Sequence, residues 1–235
     1  MFLFKLKRNY KDRILALREL AHLYETMDKT EEAKECFEDI LDIQKVLLKV
    51  SDSAIVETLC TFSSLLVNMS ESERALELLQ QALSISEKSC PGSMSHVATL
   101  QKIGELQMEN MQYDKALKTL RRAIQLWPDE CLEEAADCNR NAAVILCTNN
   151  QAEEAIPCLH EAVKIYRKCD FSDERLSSSL HLLGKALSTT SNLSLARECA
   201  TEGEILILEY LLVRIQRCQF LATVIEIFIL IKIDS

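Results

Sequence analysis

Ten cysteines and four histidines are the residues of this 235-residue chain best equipped for chemistry. Thiolates and imidazoles bind zinc, close disulfides or act as nucleophile and base, and each role demands its own spacing. Cys36, Cys60, Cys90, Cys131, Cys138, Cys147, Cys158, Cys169, Cys199 and Cys218 include no C-x-x-C pair. His22, His96, His160 and His181 form no H-E-x-x-H or H-x-x-x-H pair. Cys158 and His160 stand two residues apart, a spacing that points them to different faces of a helix. Most of the cysteines have apolar neighbours, so they read as buried or half-buried free thiols in a reducing compartment, the cytoplasm. No metal, cofactor or catalytic role is expected. A phosphate cradle is excluded, since four scattered glycines give neither G-x-x-x-x-G-K-[ST] nor G-x-G-x-x-G. Asn68-Met69-Ser70 and Asn192-Leu193-Ser194 match glycosylation sequons by chance, because no secretion signal accompanies them.

Composition says which elements must position the remaining residues. With 48% apolar residues and a mean hydropathy of zero, the chain can bury a substantial core. Four glycines and three prolines are too few for the turns of an all-β fold, so a helical protein is expected. A formal charge of −9 argues against nucleic acid as partner, which needs a concentrated basic face.

The stretch from His96 to Glu130, HVATLQKIGELQMENMQYDKALKTLRRAIQLWPDE, reads as two amphipathic helices around a short turn, closed by a proline. Four further stretches repeat it. Aligned on a small residue in the first helix and an alanine in the second, the pairs are Ala21 with Ala33, Ser63 with Ala75, Gly104 with Ala116, Ala143 with Ala155, and Gly184 with Ala196. Each pair is 12 residues apart, whereas successive alanines are 42, 41, 39 and 41 apart. A rigid two-helix unit with a tolerant connector gives that pattern, because the turn sets the packing register. Polar turn residues, among them Asp28, Ser70, Asp114, Asn149-Asn150 and Ser191-Asn192, are expected to cap the second helices through side-chain oxygens. Pro157 falls inside a second helix, where a local kink is expected and not a boundary.

These features resemble the tetratricopeptide repeat, in which a small residue of the first helix meets an alanine of the second and a proline ends the unit. Units of about 40 residues make the chain similar to the long repeats of kinesin light chains and nephrocystin-type proteins. Pro128 matches the closing proline, and Tyr24 alone keeps the aromatic at the end of the first helix. The resemblance implies an all-α, right-handed α-solenoid of about five repeats, over residues 14–50, 53–90, 95–130, 133–170 and 174–217. Residues 1–13 form a lead-in or the start of the first helix. Residues 218–235 form an apolar C-terminal helix or partial sixth repeat, on which Leu221, Val224, Ile225, Phe228 and Ile229 share one face. That segment reads as a lid, as a tail foreign to the array, or as a membrane anchor. The last is disfavoured by its length and by Glu226, since a span needs about 20 apolar residues.

The resemblance also implies a function: a scaffold that binds a peptide or helix of another protein on the concave surface of its first helices. The residues on that face are Arg18, His22, Thr61, Ser64, Gln101, Lys102, Glu105, Arg140, Asn141, His181 and Lys185. Their modest basic character suits a segment with acidic residues, with Arg140 and Asn141 central. The lysine, asparagine and arginine by which such arrays clamp a chaperone carboxylate are not matched, and Glu105 would repel that carboxylate. Two alternatives stand beside the adaptor: the repeat portion of a larger signalling ATPase or motor subunit, and a scaffold held to a membrane by its C-terminal helix.

Overall fold

Five turns of one geometry organise the molecule. The computed structural model describes residues 2–46, 52–127, 132–169 and 173–208. These form α1 (Phe2–Thr26), α2 (Thr30–Val46), α3 (Asp52–Asn68), α4 (Ser72–Ser89), α5 (Met94–Glu109), α6 (Tyr113–Leu126), α7 (Leu132–Thr148), α8 (Ala152–Cys169), α9 (Asp173–Thr189) and α10 (residues 193–208), with no strand among them. The lead-in is helical from Phe2 and continuous with α1. The apolar segment 218–235 lies outside the described residues.

At each turn one residue adopts left-handed backbone: Asp28 (φ 58°), Ser70 (φ 63°), Met111 (φ 58°), Asn150 (φ 60°) and Ser191 (φ 65°). The next residue donates its N–H five positions back, Lys29 to Tyr24 at 2.9 Å, Glu71 to Leu66, Gln112 to Gln107 and Gln151 to Leu146 at 2.8 Å, and Asn192 to Leu187 at 3.0 Å. These bonds satisfy carbonyls that every helix end would leave orphaned. That same residue accepts the N–H of the alanine four positions on, as in Ala33 to Lys29 and Ala116 to Gln112, which opens the second helix. The interval of 12 is thus set by a closed hydrogen-bonded turn. Side-chain caps contribute less than the sequence suggested: α4 and α6 start at Glu71 and Gln112 with no side-chain cap bond. A connector does use one, where Ser93 Oγ accepts from His96 N at the start of α5.

The chain divides into two compact units, Met1–Pro128 and Asp129–Ser235. In the first, α1 packs on α2, α3 on α4 and α5 on α6, and the pairs join through α2 with α3 and α4 with α5. The aligned small residues and alanines are buried between the paired helices. Gly104 is there for space, since a Cβ would lie 2.7 Å from Leu120 Cγ. Phe37 of α2 stacks on Phe62 of α3 with ring centroids 5.4 Å apart, and burial of such side chains contributes about 1.5–3 kcal/mol each. Successive second helices are also linked by ion pairs, Lys34 with Glu71 (2.5 Å), Glu38 with Arg74 (2.6 Å) and Glu87 with Arg122 (2.8 Å). Trp127 leaves α6 in extended backbone, the conformation that a following proline favours.

In the second unit, α7 packs on α8 and α8 on α9. α10 packs on α9: a Cβ on Gly184 would stand 3.0 Å from the Ala196 carbonyl, and Ser177 Oγ donates to the Gly203 carbonyl at 3.0 Å. α8 runs through Pro157 to Cys169, so that proline marks no boundary. Arg167 pairs with Glu202 at 2.6 Å, repeating the link between second helices.

Candidate functional site

The first helices carry the candidate binding faces. In the first unit, Arg18 on α1 donates to Glu57 on α3 at 3.0 Å, and His22 lies 3.7 Å from Glu25. Arg18 is thereby committed to a carboxylate of this chain, while the His22 side chain is exposed. Thr61 Oγ1 and Ser64 Oγ turn back to the carbonyls of Glu57 and Cys60. Gln101 Nε2 donates to Glu105 Oε1 at 3.0 Å. Lys102 differs, since its ammonium donates to the neutral Ser64 Oγ at 2.9 Å. It stands beside a 160 Å³ cleft between α3 and α5 lined also by Val67, Asn68, Glu105 and Glu109.

In the second unit, Arg140 on α7 is 3.9 Å from Asp137, and its Nε is enclosed without a partner. Asn141 is 5% exposed. It holds the register position that Thr61, which is exposed, holds on α3, two residues before the small one. His181 and Lys185 are exposed on α9, where Lys185 borders a cleft lined by Cys147, Asn150 and Glu154.

One cluster was not anticipated. Asp137 accepts the Tyr166 hydroxyl at 2.5 Å and Arg175 Nη1 at 3.0 Å, and Arg175 also donates to Glu133. Burial and the carboxylate of Asp137 together push the Tyr166 hydroxyl well above the usual phenol range, so it stays a donor. The signal lay in separation. First-helix contacts join residues 38 to 42 apart, as in Arg18 with Glu57, Lys102 with Ser64, and Arg175 with Asp137 and Glu133. Those between second helices join residues 35 to 37 apart. The second-helix separations are a few positions short of the repeat length.

Burial raises the thiols of Cys36, Cys60, Cys147 and Cys199, keeping them protonated, the reverse of nucleophile activation. Among the described residues no three His, Cys, Asp or Glu side chains converge on a metal-sized site. No helix among them is long and apolar enough to cross a membrane.

Two family models of the tetratricopeptide repeat match the chain, over residues 12–88 and 98–130. Comparison with curated proteins finds no match. Among solved structures, a point variant of the kinesin light chain TPR-like repeats of Podosopora anserina is 22% identical, with a TM-score of 0.70 over 84% of this chain and 96% of that one. BtubC (BKLC) from P. vanneervenii is 13% identical, with a TM-score of 0.76 over 89% and 92% of the two chains. MamA from Desulfovibrio magneticus RS-1 is 16% identical, with a TM-score of 0.64 over 84% and 97%. These neighbours share the α-solenoid fold, and with the two family matches and the repeated turn they establish that the chain is a tetratricopeptide-repeat protein.

Proposed function

We propose that this protein is a non-catalytic scaffold that holds a polypeptide segment of a partner on the exposed faces of its first helices. Acidic residues of such a segment meet Lys102 on the first unit, or Arg140, His181 and Lys185 on the second. Nucleic acid is not the partner of a chain with formal charge −9, and a chaperone carboxylate is not the ligand. The observation that carries the reading is Lys102: a half-buried ammonium beside a cleft, bonded to a hydroxyl and in no ion pair with a described residue. A partially desolvated cation of this kind gains most from an incoming carboxylate. Seven described cysteines are free thiols, which supports the cytoplasm as its compartment.

The test is affinity capture from cytosolic extract with the wild-type chain beside Lys102→Glu/Arg140→Glu/Lys185→Glu, both checked by circular dichroism. Specific partners should fall at least about tenfold in the variant, the order expected for charge-assisted contacts. Equal capture by both chains would rule these faces out as the binding surface.

A further inference from the structure

The first helix of the first repeat leaves bare a face that other first helices keep covered. In α3, α5 and α9 the residue before the small one and the residue two after it are Phe62 and Leu65, Ile103 and Leu106, Leu183 and Ala186, all buried. Each of these helices packs on the second helix before it: α2, α4 and α8. Five positions before the small residue, Thr58, Thr99 and Ser179 are buried too. The corresponding residues of α1 are Ala16, Leu20 and Leu23; Leu20 is 38% and Leu23 57% exposed, and Met27 at the end of the same stripe is 59% exposed.

We infer that this face of α1 and the adjoining edge of α2 dock an amphipathic helix that residues 1–235 do not supply, seated as α2 is on α3. The charges specify which helix. Counted from the aligned alanine, an upstream second helix pairs from one, five and twelve positions after it, as Lys34, Glu38, Glu87 and Arg167 do. The downstream helix pairs from four before, one before and six after, as Glu71, Arg74, Arg122 and Glu202 do. In α2 the downstream positions are Lys29, Glu32 and Asp39, exposed and in no ion pair with a described residue. Opposite charges at the upstream positions of the docked helix are an acid, a base and a base. α10 of a second copy would offer Arg197, Thr201 and Leu208, setting Arg197 against Lys29 with no base for either acid. End-to-end stacking of this chain is therefore not the occupant. The surface is separate from the first-helix residues proposed above to bind a segment, and the inference does not depend on them.

The probe is a stapled, fluorescent peptide of the α8 sequence, residues 152–169, carrying Ile156→Glu, Pro157→Ala and His160→Lys. Arg167 then supplies the second base. Anisotropy with the full chain should show saturable binding at least about tenfold tighter than for a peptide with all three charges reversed. Leu20→Glu/Leu23→Glu in the chain should abolish it; both side chains are exposed, so the fold should survive, as circular dichroism would show. Glu32→Lys/Asp39→Lys should invert the preference between the two peptides. No saturable binding, indifference to Leu20→Glu/Leu23→Glu, or an uninverted preference would each overturn the proposal. So would a dimer in sedimentation that this α1 variant dissolves, which assigns the face to a second copy. Binding seen only after deletion of residues 209–235 assigns it to the chain's own C-terminal segment and overturns it equally.

Discussion

Left-handed backbone at a turn is cheap for asparagine or aspartate and costly for methionine, which has no side-chain oxygen to bond locally. Met111 holds φ 58° while 76% exposed, so it contributes little packing in return. Met111→Gly should stabilise the chain by about 1 kcal/mol, read as a higher urea midpoint with an unchanged slope. The other four were placed at the turns from their type, though as side-chain caps and not as left-handed residues. Met111 was not, and only its place seven residues after Gly104 betrays it. His96 gives a second prediction at this scale. It is 3% exposed, its Nδ1 accepts the Gly92 N–H at 2.8 Å, and its Nε2 is enclosed without a partner. Burial, aided by Arg122 and opposed by Glu87, depresses its basicity below the ordinary value of 6.5. The unfolded chain then binds the proton more readily than the folded one. The stability involved is present above 6.5 and is lost as pH falls from there to the lower folded value. His96→Asn keeps an acceptor for Gly92 without titrating, so urea unfolding at pH 7.5 and pH 5.5 should show the smaller loss in the variant.

Between elements, two contacts bear on stability in different ways. A Cβ on Gly104 would press on Leu120 Cγ and Cδ2, both at 2.7 Å. Overpacking costs about 1–3 kcal/mol and the gain in helix propensity returns about 1, so Gly104→Ala should lose about 1 kcal/mol in chemical unfolding. Tyr166 is buried and donates to a carboxylate, so Tyr166→Phe should cost about 1.5–3 kcal/mol. A far smaller loss would mean that Arg175 and Arg140 satisfy Asp137 unaided. The helix pairs, their small contact residues and their alanines were legible, because apolar periodicity and the 12-residue interval are local. The Asp137 cluster and the ion pairs between second helices were not. Their partners lie 29 to 42 residues apart, and which charges meet depends on how far one helix leads its neighbour. The burial of Asn141 was not legible for a related reason: spacing identifies a face but not how deeply it is covered.

Along the whole chain, the intervals separate what packing fixes from what it tolerates. Within a repeat the small residue and the alanine stay 12 apart, while successive alanines drift between 39 and 42. The structure gives the cause: the turn is closed by a left-handed residue and two backbone bonds at each of five sites, with no slack for an added residue. The α4–α5 connector, by contrast, exposes Cys90, Pro91 and Gly92 and holds together through few bonds. Inserting two glycines between Cys90 and Pro91 lengthens a connector, for which doubling a loop costs roughly 0.6 kcal/mol, plus about 1 kcal/mol for the Ser93 N–H to Cys90 carbonyl bond. The same insertion between Met111 and Gln112 removes the Gln112 N–H to Gln107 carbonyl bond and rotates Ala116 and Leu120 away from Gly104. Losing the burial of those two side chains adds about 2 kcal/mol or more to the lost bond. Urea unfolding of the two insertion variants should therefore rank them far apart, with the turn insertion the more damaging by at least about 2 kcal/mol. Equal losses would mean that apolar burial alone holds the register, and that the invariant interval reflects the faces and not the turn.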